Sequence, residues 1–426
     1  MAQLSDDCFA FGGDLLRLDD ALMRVEKAVA CVADTESVDL SGAAERILAE
    51  TVTAGIDVPP YANSAVDGYA VYFEDLNGDG ETMLPVGGRA AAGHPLVRPA
   101  RRGEAIRIFT GAPMPQGANG GPDTVMMQED CVEEAGQVRI RPGIKRGANA
   151  RDAGEDIAAG QQILKAGLRL RPQDVGLAAS VGRRRLVVYK PLRAAVFSTG
   201  DEVREPGSAL GPGALYDSNR YAVAAALRGT GCQITDLGIL PDDFETIRTT
   251  LRRSAADYDV LVTTGGMSTG REDHVRTVME QEGKISFWRL AIKPGRPVGL
   301  GTITGDGRTV PLIGLPGNPV AAMTTLLCLG APIIARLSGA EWRAPRRYRV
   351  RSAFDYGKKA ERREFVRGVL QTGEDGQTEV HKHGRSGAAI LSSLSGADGF
   401  VELAEDVTIL KAGESVDFLP FSELGL

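Results

Sequence analysis

The sequence predicts a multidomain protein of mixed α/β and β structure, in which a central parallel-sheet α/β domain is flanked by β-rich segments. Strand-like and helix-like segments alternate over residues 193–339, as in a parallel sheet with helices on both faces. Short strands with Gly- and Pro-rich turns fill residues 60–160 and 342–426. The length agrees, since 426 residues correspond to about three domains of roughly 150 residues.

The first segment, residues 6–52, is predicted to be helical because Leu15, Leu18, Leu22 and Val25 keep a helix-like spacing. The sequence then breaks at two prolines, and a small β-rich domain is predicted to follow. Its strands are predicted at residues 65–72, 104–109 and 124–128.

In the central region the alternation resolves into individual elements. Strands are predicted at residues 194–198, 234–240, 260–264 and 310–314, and helices at residues 221–227, 242–257, 271–280 and 320–337. Asp217 or Ser218 can cap the first helix, and Asp242 or Asp243 the second, because short polar side chains accept from free backbone N–H groups. The last region, with strands at residues 364–370, 379–382 and 400–403, predicts a small C-terminal β-barrel or sandwich.

Composition excludes several classes of protein. A formal net charge of −7 argues against a nucleic-acid binder, which is usually basic. The five cysteines include no pair at zinc-ligand spacing, so we expect reduced thiols and a cytoplasmic location. We expect no signal peptide, and no membrane span, because the longest apolar stretch, residues 321–335, is shorter than the roughly 20 residues required.

Three polar, glycine-containing loops follow predicted parallel strands, at residues 198–202, 265–270 and 315–319. Ligands of such sheets bind beyond the carboxyl ends of the strands. One such loop is more often a plain turn, but three on one sheet edge indicate a binding site. The candidate binding residues are Gly200, Asp201, Gly265, Gly266, Ser268, Gly270, Pro316, Gly317, Asn318 and Pro319.

Charged residues suggest the chemistry of the ligand. Lys293 and Arg296 flank a Pro-Gly turn, an arrangement suited to phosphate or another oxyanion, although a solvated hairpin would look the same. Carboxylates beside a phosphate site usually hold Mg²⁺, although a single Asp in a turn is more often a turn-former. The sequence has no serine hydrolase elbow, zinc-spaced His pair, P-loop or dinucleotide-binding glycine motif.

Seven motifs, in order along the chain, together resemble the molybdopterin molybdotransferase family, which includes the bacterial MoeA proteins and the E domain of gephyrin. They are S-A-V-D-G-Y-A at residues 64–70, F-T-G-A-P at 109–113, G-E-D-I at 154–157, S-T-G-D-E-V at 198–203, T-T-G-G-M-S-T-G-R-E-D at 263–273, K-P-G-R-P at 293–297 and L-P-G-N-P-V at 315–320. Any one motif could arise by chance, but seven in the family's order make the match specific.

The resemblance implies an elongated subunit that pairs into a homodimer, with the active site between the α/β domain of one subunit and the β-rich domain of the other. It implies four domains. They are a molybdopterin-binding α/β domain (residues 1–40 and 190–340), an elongated linker domain (41–59 and 160–189), a small β-rich domain (60–159) and a C-terminal β-barrel (341–426).

The implied reaction inserts molybdate into adenylylated molybdopterin with Mg²⁺ and releases AMP, as the final step of molybdenum cofactor biosynthesis. The resemblance also assigns residue roles. Asp67, Asp156, Glu202 and Asp273 would be catalytic; Glu202, Asp242 and Asp273 would hold Mg²⁺; Thr110 and Arg151 would bind substrate; Lys293, Arg296 and Arg367 would bind molybdate. The upstream molybdopterin adenylyltransferase is a candidate partner.

Three positions depart from the family pattern. Ala321 and Ala388 stand where a serine is common, and Arg289 stands where a lysine is frequent. The two alanines would remove a hydroxyl donor near the molybdate pocket that the resemblance implies, and these changes leave open a paralogue that handles tungstate. A nucleotide pyrophosphatase is also possible, but it would explain only the central region. A gephyrin-like scaffold is a further possibility, and it would predict loss of the catalytic carboxylates.

Overall fold

The computed structural model describes residues 15–266 and 274–425, apart from the side chain of Phe287. Up to residue 189 the helices and strands are α1 (Leu18–Ala28), β1 (Thr35–Asp39), β2 (Val52–Thr53), β3 (Asn63–Ser64), β4 (Gly68–Val71), β5 (Thr82–Ala90), β6 (Ala105–Ile108), β7 (Thr124–Met127), β8 (Cys131–Glu134), β9 (Gln137–Ile140), β10 (Ala150–Arg151), β11 (Gln162–Leu164), α2 (Pro172–Ser180) and β12 (Arg185–Tyr189).

The predicted helix over residues 6–52 is wrong beyond Ala28. Residues 1–14 lie outside the described part of the chain, and β1 begins at Thr35. Its residues alternate between exposed and half-buried, the two-residue period of a strand, and β1 pairs antiparallel with β12. The pairing with a distant segment, rather than local propensity, sets the structure here.

The β-rich region contains a six-stranded sheet in the order β7-β4-β6-β5-β9-β8. Strands β4, β6 and β7 agree with the three predicted segments to within a few residues, whereas β5, β8 and β9 were not predicted. One face buries Ala70, Ile106, Ile108 and Val125, and the other buries a smaller cluster that includes Tyr69.

The α/β region follows. Its elements are β13 (Arg193–Thr199), β14 (Val203–Arg204), β15 (Leu215–Tyr216), α3 (Asn219–Gly229), β16 (Gln233–Leu240), α4 (Phe244–Asp257), β17 (Val260–Thr264), α5 (His274–Glu282), β18 (Gly283–Arg289), β19 (Ile292–Lys293), β20 (Pro297–Gly305), β21 (Arg308–Leu315), α6 (Pro319–Thr325) and α7 (Ala331–Leu337).

The central sheet has the order β16-β13-β17-β21-β20-β18. The first four strands are parallel, as predicted, whereas β20 and β18 are antiparallel additions that the sequence pattern does not predict. One face packs against α1, α3, α6 and α7, and the other against α4 and α5. Helices therefore cover both faces, which explains why β13 and β17 are almost continuously buried.

A π-helical turn, Leu326–Gly330, joins α6 to α7 in one apolar run. Within the described residues, Pro319–Leu337 is the single helical run long and apolar enough to cross a membrane by length and composition. It is longer than the stretch considered from sequence, but 83% of its most apolar window is buried within the protein. A helix that is buried on nearly all sides in this way is typical of a protein core.

The C-terminal region is a closed β-barrel, as predicted. Its elements are β22 (Tyr348–Ser352), β23 (Tyr356–Gly357), β24 (Arg363–Thr372), β25 (Thr378–Lys382), α8 (Ser392–Ser395), β26 (Gly399–Leu403), β27 (Ile409–Leu410) and β28 (Ser415–Pro420). The strands pair as β24-β25-β22-β28-β26, and β26 closes the ring on β24. Because β19 also pairs with β24, the barrel is joined directly to the α/β region.

Candidate active site

Four loops converge at one edge of the central sheet. They follow β16, β13, β17 and β21, which are parallel neighbours, so their carboxyl ends point the same way. These loops contain Asp242, the Gly200–Glu202 turn, Gly265 with Gly266, and residues 316–319. The structure thus brings together most of the ligand-binding residues predicted for the α/β region.

The turn after β13 requires glycine. Gly200 has a φ of +137°, and a Cβ at this position would lie 2.7 Å from Oε2 of Glu202. The Glu202 carboxylate therefore folds back over the glycine, and any other residue would displace it. Asp201 beside it is exposed.

The turn after β17 is held close to its neighbour. The hydroxyls of Ser198 and Thr264 are 2.8 Å apart, which links the ends of β13 and β17. Gly265 and Gly266 both have positive φ, and a Cβ on either would meet Thr199 within 3 Å. Three predicted site residues of this loop, Ser268, Gly270 and Asp273, lie outside the described residues.

The loop after β21 contacts two other segments. Gly317 O accepts a hydrogen bond of 2.6 Å from Asn219 Nδ2, whereas Asn219 Oδ1 is buried and has no partner among the described residues. Pro319 starts α6, and the next backbone N–H, of Val320, donates to Ala388 O at 2.9 Å. The two alanine positions that depart from the family pattern, Ala321 and Ala388, therefore lie near each other at the junction with the barrel.

Arg220 fixes the segment that carries Glu202. Its side chain is 2% exposed and contacts the carboxylates of Asp217 at 2.9 Å, Glu205 at 2.5 Å and Asp236. Asp217 also accepts from the backbone N–H of Arg220 in the first turn of α3. Of the two predicted capping residues, Asp217 therefore makes the contact and Ser218 does not. Sequence reasoning missed Asn219 and Arg220, although a cation directly after a capping Asp was a possible signal.

Lys293 contacts the barrel. Its ammonium donates to Glu364 Oε2 at 3.1 Å, and this carboxylate also accepts from Tyr356 and Arg362. Glu364 is 1% exposed and holds the Lys293 ammonium, a contact that sequence reasoning missed. Arg296, on the other side of the turn, is exposed.

Arg367 is buried without a carboxylate partner among the described residues. It is 5% exposed and donates through Nε to Ser393 Oγ at 3.1 Å and through Nη2 to Arg385 O at 3.0 Å. No hydrogen bond from Nη1 occurs within residues 15–266 and 274–425. Burial lowers the pKa of this guanidinium below its ordinary value. No carboxylate of the described chain forms an ion pair with this cation.

The β-rich region brings together a second pair of predicted residues. Asp67 Oδ1 accepts hydrogen bonds of 2.8 Å from both the backbone N–H and the hydroxyl of Thr110. These bonds hold the pKa of Asp67 below its ordinary value. The carboxylate is therefore ionised and oriented at neutral pH.

Arg151 and Asp156 belong to the last part of the β-rich region, where the backbone N–H of Asp156 donates to Val58 O at 3.0 Å. Arg151 belongs to β10, which pairs with β3 just before Asp67, and both Arg151 and Asp156 are exposed. No hydrogen bond or ion pair between described residues joins Asp67, Thr110, Arg151 or Asp156 to the loops of the central sheet. Within the described chain, no group of three or more His, Cys, Asp or Glu side chains could hold a metal ion.

Comparison with protein families gives three matches that together span most of the chain. The MoeA N-terminal region (domain I and II) matches residues 16–182, a probable molybdopterin binding domain matches residues 195–336, and the MoeA C-terminal region (domain IV) matches residues 349–421.

Curated relatives and solved structures agree over nearly the full length. The chain is 35% identical to a molybdopterin molybdenumtransferase of Haemophilus influenzae, over 96% of this chain and 100% of the relative. It is 34% identical to one of a Nostoc species, over 90% of this chain and 88% of the relative. A crystal structure of a Pyrococcus molybdopterin biosynthesis MoeA protein superposes with a TM-score of 0.75 at 31% identity, over 96% of this chain and 99% of that one.

Proposed function

The chain belongs to the MoeA family of molybdopterin molybdenumtransferases, and from this membership we propose that it inserts molybdate into adenylylated molybdopterin and releases AMP. This is the final step of molybdenum cofactor biosynthesis. The observation that carries the proposal is Arg367, a buried guanidinium without a carboxylate partner in the described chain. Its Nη2 also donates to Gly387 O at 3.4 Å, and the carbonyl of the next residue, Ala388, accepts from Val320 N in α6. Such a group suits a small oxyanion such as molybdate.

The sheet edge would receive the pterin and its pyrophosphate. Residues 198–202, 265–266 and 315–319 offer backbone N–H groups at positions where glycine allows close approach. Lys293 would add a second cation to the oxyanion pocket, and Arg296 would act at its exposed side. Because Ala321 and Ala388 offer no hydroxyl, the guanidinium of Arg367 would carry more of the oxyanion binding in this chain.

Magnesium is part of the proposal. Mg²⁺ is usually bound by one or two carboxylates together with phosphate oxygens of the substrate, so a protein cage of three ligands is not required. Glu202 and Asp242, on the loops after the adjacent strands β13 and β16, fit this donor set, and we assign Asp273 to it as well. When bound, the ion would neutralise charge on the phosphoanhydride that is cleaved.

The β-rich region would act on the substrate of a second subunit. Asp67 and Asp156 would position the attack on the phosphoanhydride, and Thr110 and Arg151 would bind the substrate. A homodimer is proposed because these four residues make no hydrogen bond or ion pair with the sheet-edge loops inside one described chain.

We further propose a division into the four domains that the resemblance implies, a cytoplasmic location, and delivery of the substrate by the upstream adenylyltransferase.

The direct test is AMP release from adenylylated molybdopterin, with Mg²⁺, in the presence and absence of molybdate. The proposal predicts release that molybdate stimulates and that Asp67→Asn abolishes. Release without any response to molybdate would instead identify a nucleotide pyrophosphatase. A stronger response to tungstate than to molybdate would identify the tungstate paralogue.

A further inference from the structure

The face of the β-rich sheet that carries Asp67 also holds two arginines around an aromatic ring. The guanidinium carbons of Arg89 and Arg107 lie 4.7 and 5.1 Å from the centroid of the Phe109 ring. Arg107 also lies 4.8 Å from the ring of Tyr69. In the sheet, Arg107 pairs with Tyr69 on one side and with Arg89 on the other, so these side chains form one row.

Two further stacked arginines of this region are neutralised. Arg102 lies over Tyr72 and forms ion pairs with Glu74 at 2.8 Å and Asp75 at 2.6 Å. Arg146 lies over Phe73 and is likewise paired with carboxylates. These two arginines therefore act as structural groups.

Arg89 and Arg107 differ, since no carboxylate lies within ion-pair distance of either one in the described chain. The partner of Arg107 is neutral, Gln128 Oε1 at 2.7 Å. The nearby Glu133 is engaged by the Tyr69 hydroxyl at 2.6 Å. The row thus carries two positive charges that form no ion pair in the described chain. It lies beside the oriented carboxylate of Asp67, whose pKa is lowered mainly by the Thr110 hydrogen bonds and in addition by Arg107.

We propose that Arg89 and Arg107 form a binding site for the phosphoryl oxygens of a pyrophosphate-bearing ligand. A guanidinium presents N–H groups in a planar fork that matches two phosphate oxygens, and stacking on a ring fixes that fork before the ligand arrives. Phe109 serves as the spacer between the two forks. Thr110, the next residue, holds Asp67, so the phosphate would lie next to a carboxylate assigned to catalysis. The identity of this ligand as adenylylated molybdopterin rests on the proposed function.

The test measures binding of AMP and of inorganic pyrophosphate to the full chain by calorimetry, without molybdate or pterin. Arg89→Gln and Arg107→Gln should each weaken pyrophosphate binding by about tenfold or more, because hydrogen bonds to charged groups are strong. Arg102→Gln is the matched control, since it removes a stacked but neutralised arginine of the same region. It should leave both affinities unchanged.

The two probes separate the possible sources of the phosphate. Weakening of AMP binding as well as pyrophosphate binding assigns the site to the nucleotide phosphate, and weakening of pyrophosphate alone assigns it to the phosphate on the pterin side. Arg107→Lys, which keeps the charge but not the fork, should recover only part of the affinity and excludes misfolding as the cause. Unchanged affinities for both probes in both glutamine variants would overturn the proposal.

The binding experiment and the AMP-release experiment distinguish failure of this proposal from failure of the proposed function. Binding is measured here without turnover, so a phosphate site can be confirmed even if molybdate does not stimulate AMP release. Conversely, molybdate-stimulated release with unchanged phosphate affinities would retain the transferase and reject the site at Arg89 and Arg107.

Discussion

Arg220 and Arg367 are both almost completely buried, yet their surroundings differ in charge. Arg220 contacts three carboxylates, whereas Arg367 contacts a hydroxyl and backbone carbonyl oxygens. Burial disfavours both cations, but Asp236 and Asp217 reverse its effect and raise the pKa of Arg220 above its ordinary value. The pKa of Arg367 is lowered by burial. An arginine buried with carboxylates cannot be removed without leaving a buried charge unpaired, whereas the charge of one buried among neutral acceptors is available to an anionic ligand.

The largest expected effect is on Arg220. Arg220→Met leaves Asp217 buried without its partner and should lower the free energy of unfolding by about 3–5 kcal/mol in urea denaturation. Arg228→Met, an exposed arginine of the same helix, is the control and should have little effect. Equal losses in the two variants would show that the carboxylates around Arg220 do not depend on its charge.

A smaller loss of stability than for Arg220 is expected when Glu364 is changed. Glu364 is a buried carboxylate that pairs with a half-exposed cation, Lys293. Glu364→Gln weakens hydrogen bonds from Lys293, Tyr356 and Arg362, and should lower the free energy of unfolding by about 1.5–3 kcal/mol. Asp417→Asn removes an exposed partner of Arg349 in the same barrel, and should cost no more than about 1 kcal/mol. The prediction fails if Glu364→Gln is as stable as this control.

Asp67 extends the comparison to an exposed anion whose pKa is lowered mainly by hydrogen bonds from Thr110. Thr110→Val removes the hydroxyl donor but keeps the backbone donor, so the pKa of Asp67 should rise part of the way toward its ordinary value. Because the pKa of Asp67 is lower in the folded than in the unfolded state, its ionised form stabilises the protein at pH values above the unfolded-state pKa. This contribution is lost as the pH falls through the folded-state pKa. NMR titration of the Asp67 carboxyl carbon measures the change. An unchanged titration would mean that the Thr110 hydroxyl does not orient Asp67.

The smallest expected change in stability is at Arg367. Arg367→Met removes a cation whose burial is unfavourable, together with hydrogen bonds to Ser393 and Arg385. These contributions oppose each other, so the free energy of unfolding should change by no more than about 1 kcal/mol. A loss as large as that of Arg220→Met would show that Arg367 is a structural residue.

Much of the fold could be predicted because its signals are local. The strand Val260–Thr264 is fully buried and ends at Gly265 and Gly266, and Asp243 caps α4 by accepting from Thr246 N at 2.8 Å. The convergence of the glycine loops followed from the general behaviour of parallel sheets. The antiparallel strands β18 and β20 were missed because their pairing, Gly283–Arg289 with Pro297–Gly305, leaves no strong period in the sequence.

The candidate site was less predictable, because its groups meet across long distances in the sequence. Arg220 contacts Asp236, 16 residues away, and Lys293 contacts Glu364, 71 residues away. No motif spacing reveals such pairs. The motif residues were found because each motif is short and continuous, whereas the residues that compensate or orient them lie outside the motifs.

Molybdate binding to Arg367→Met, measured by calorimetry, tests most directly the claim that an uncompensated buried arginine marks the oxyanion site. Arg349→Met, which removes an exposed and paired arginine of the same barrel, is the control. We expect that Arg367→Met folds normally and binds molybdate at least about tenfold more weakly than wild type, while Arg349→Met binds it unchanged. Equal affinities in wild type and both variants would contradict the claim.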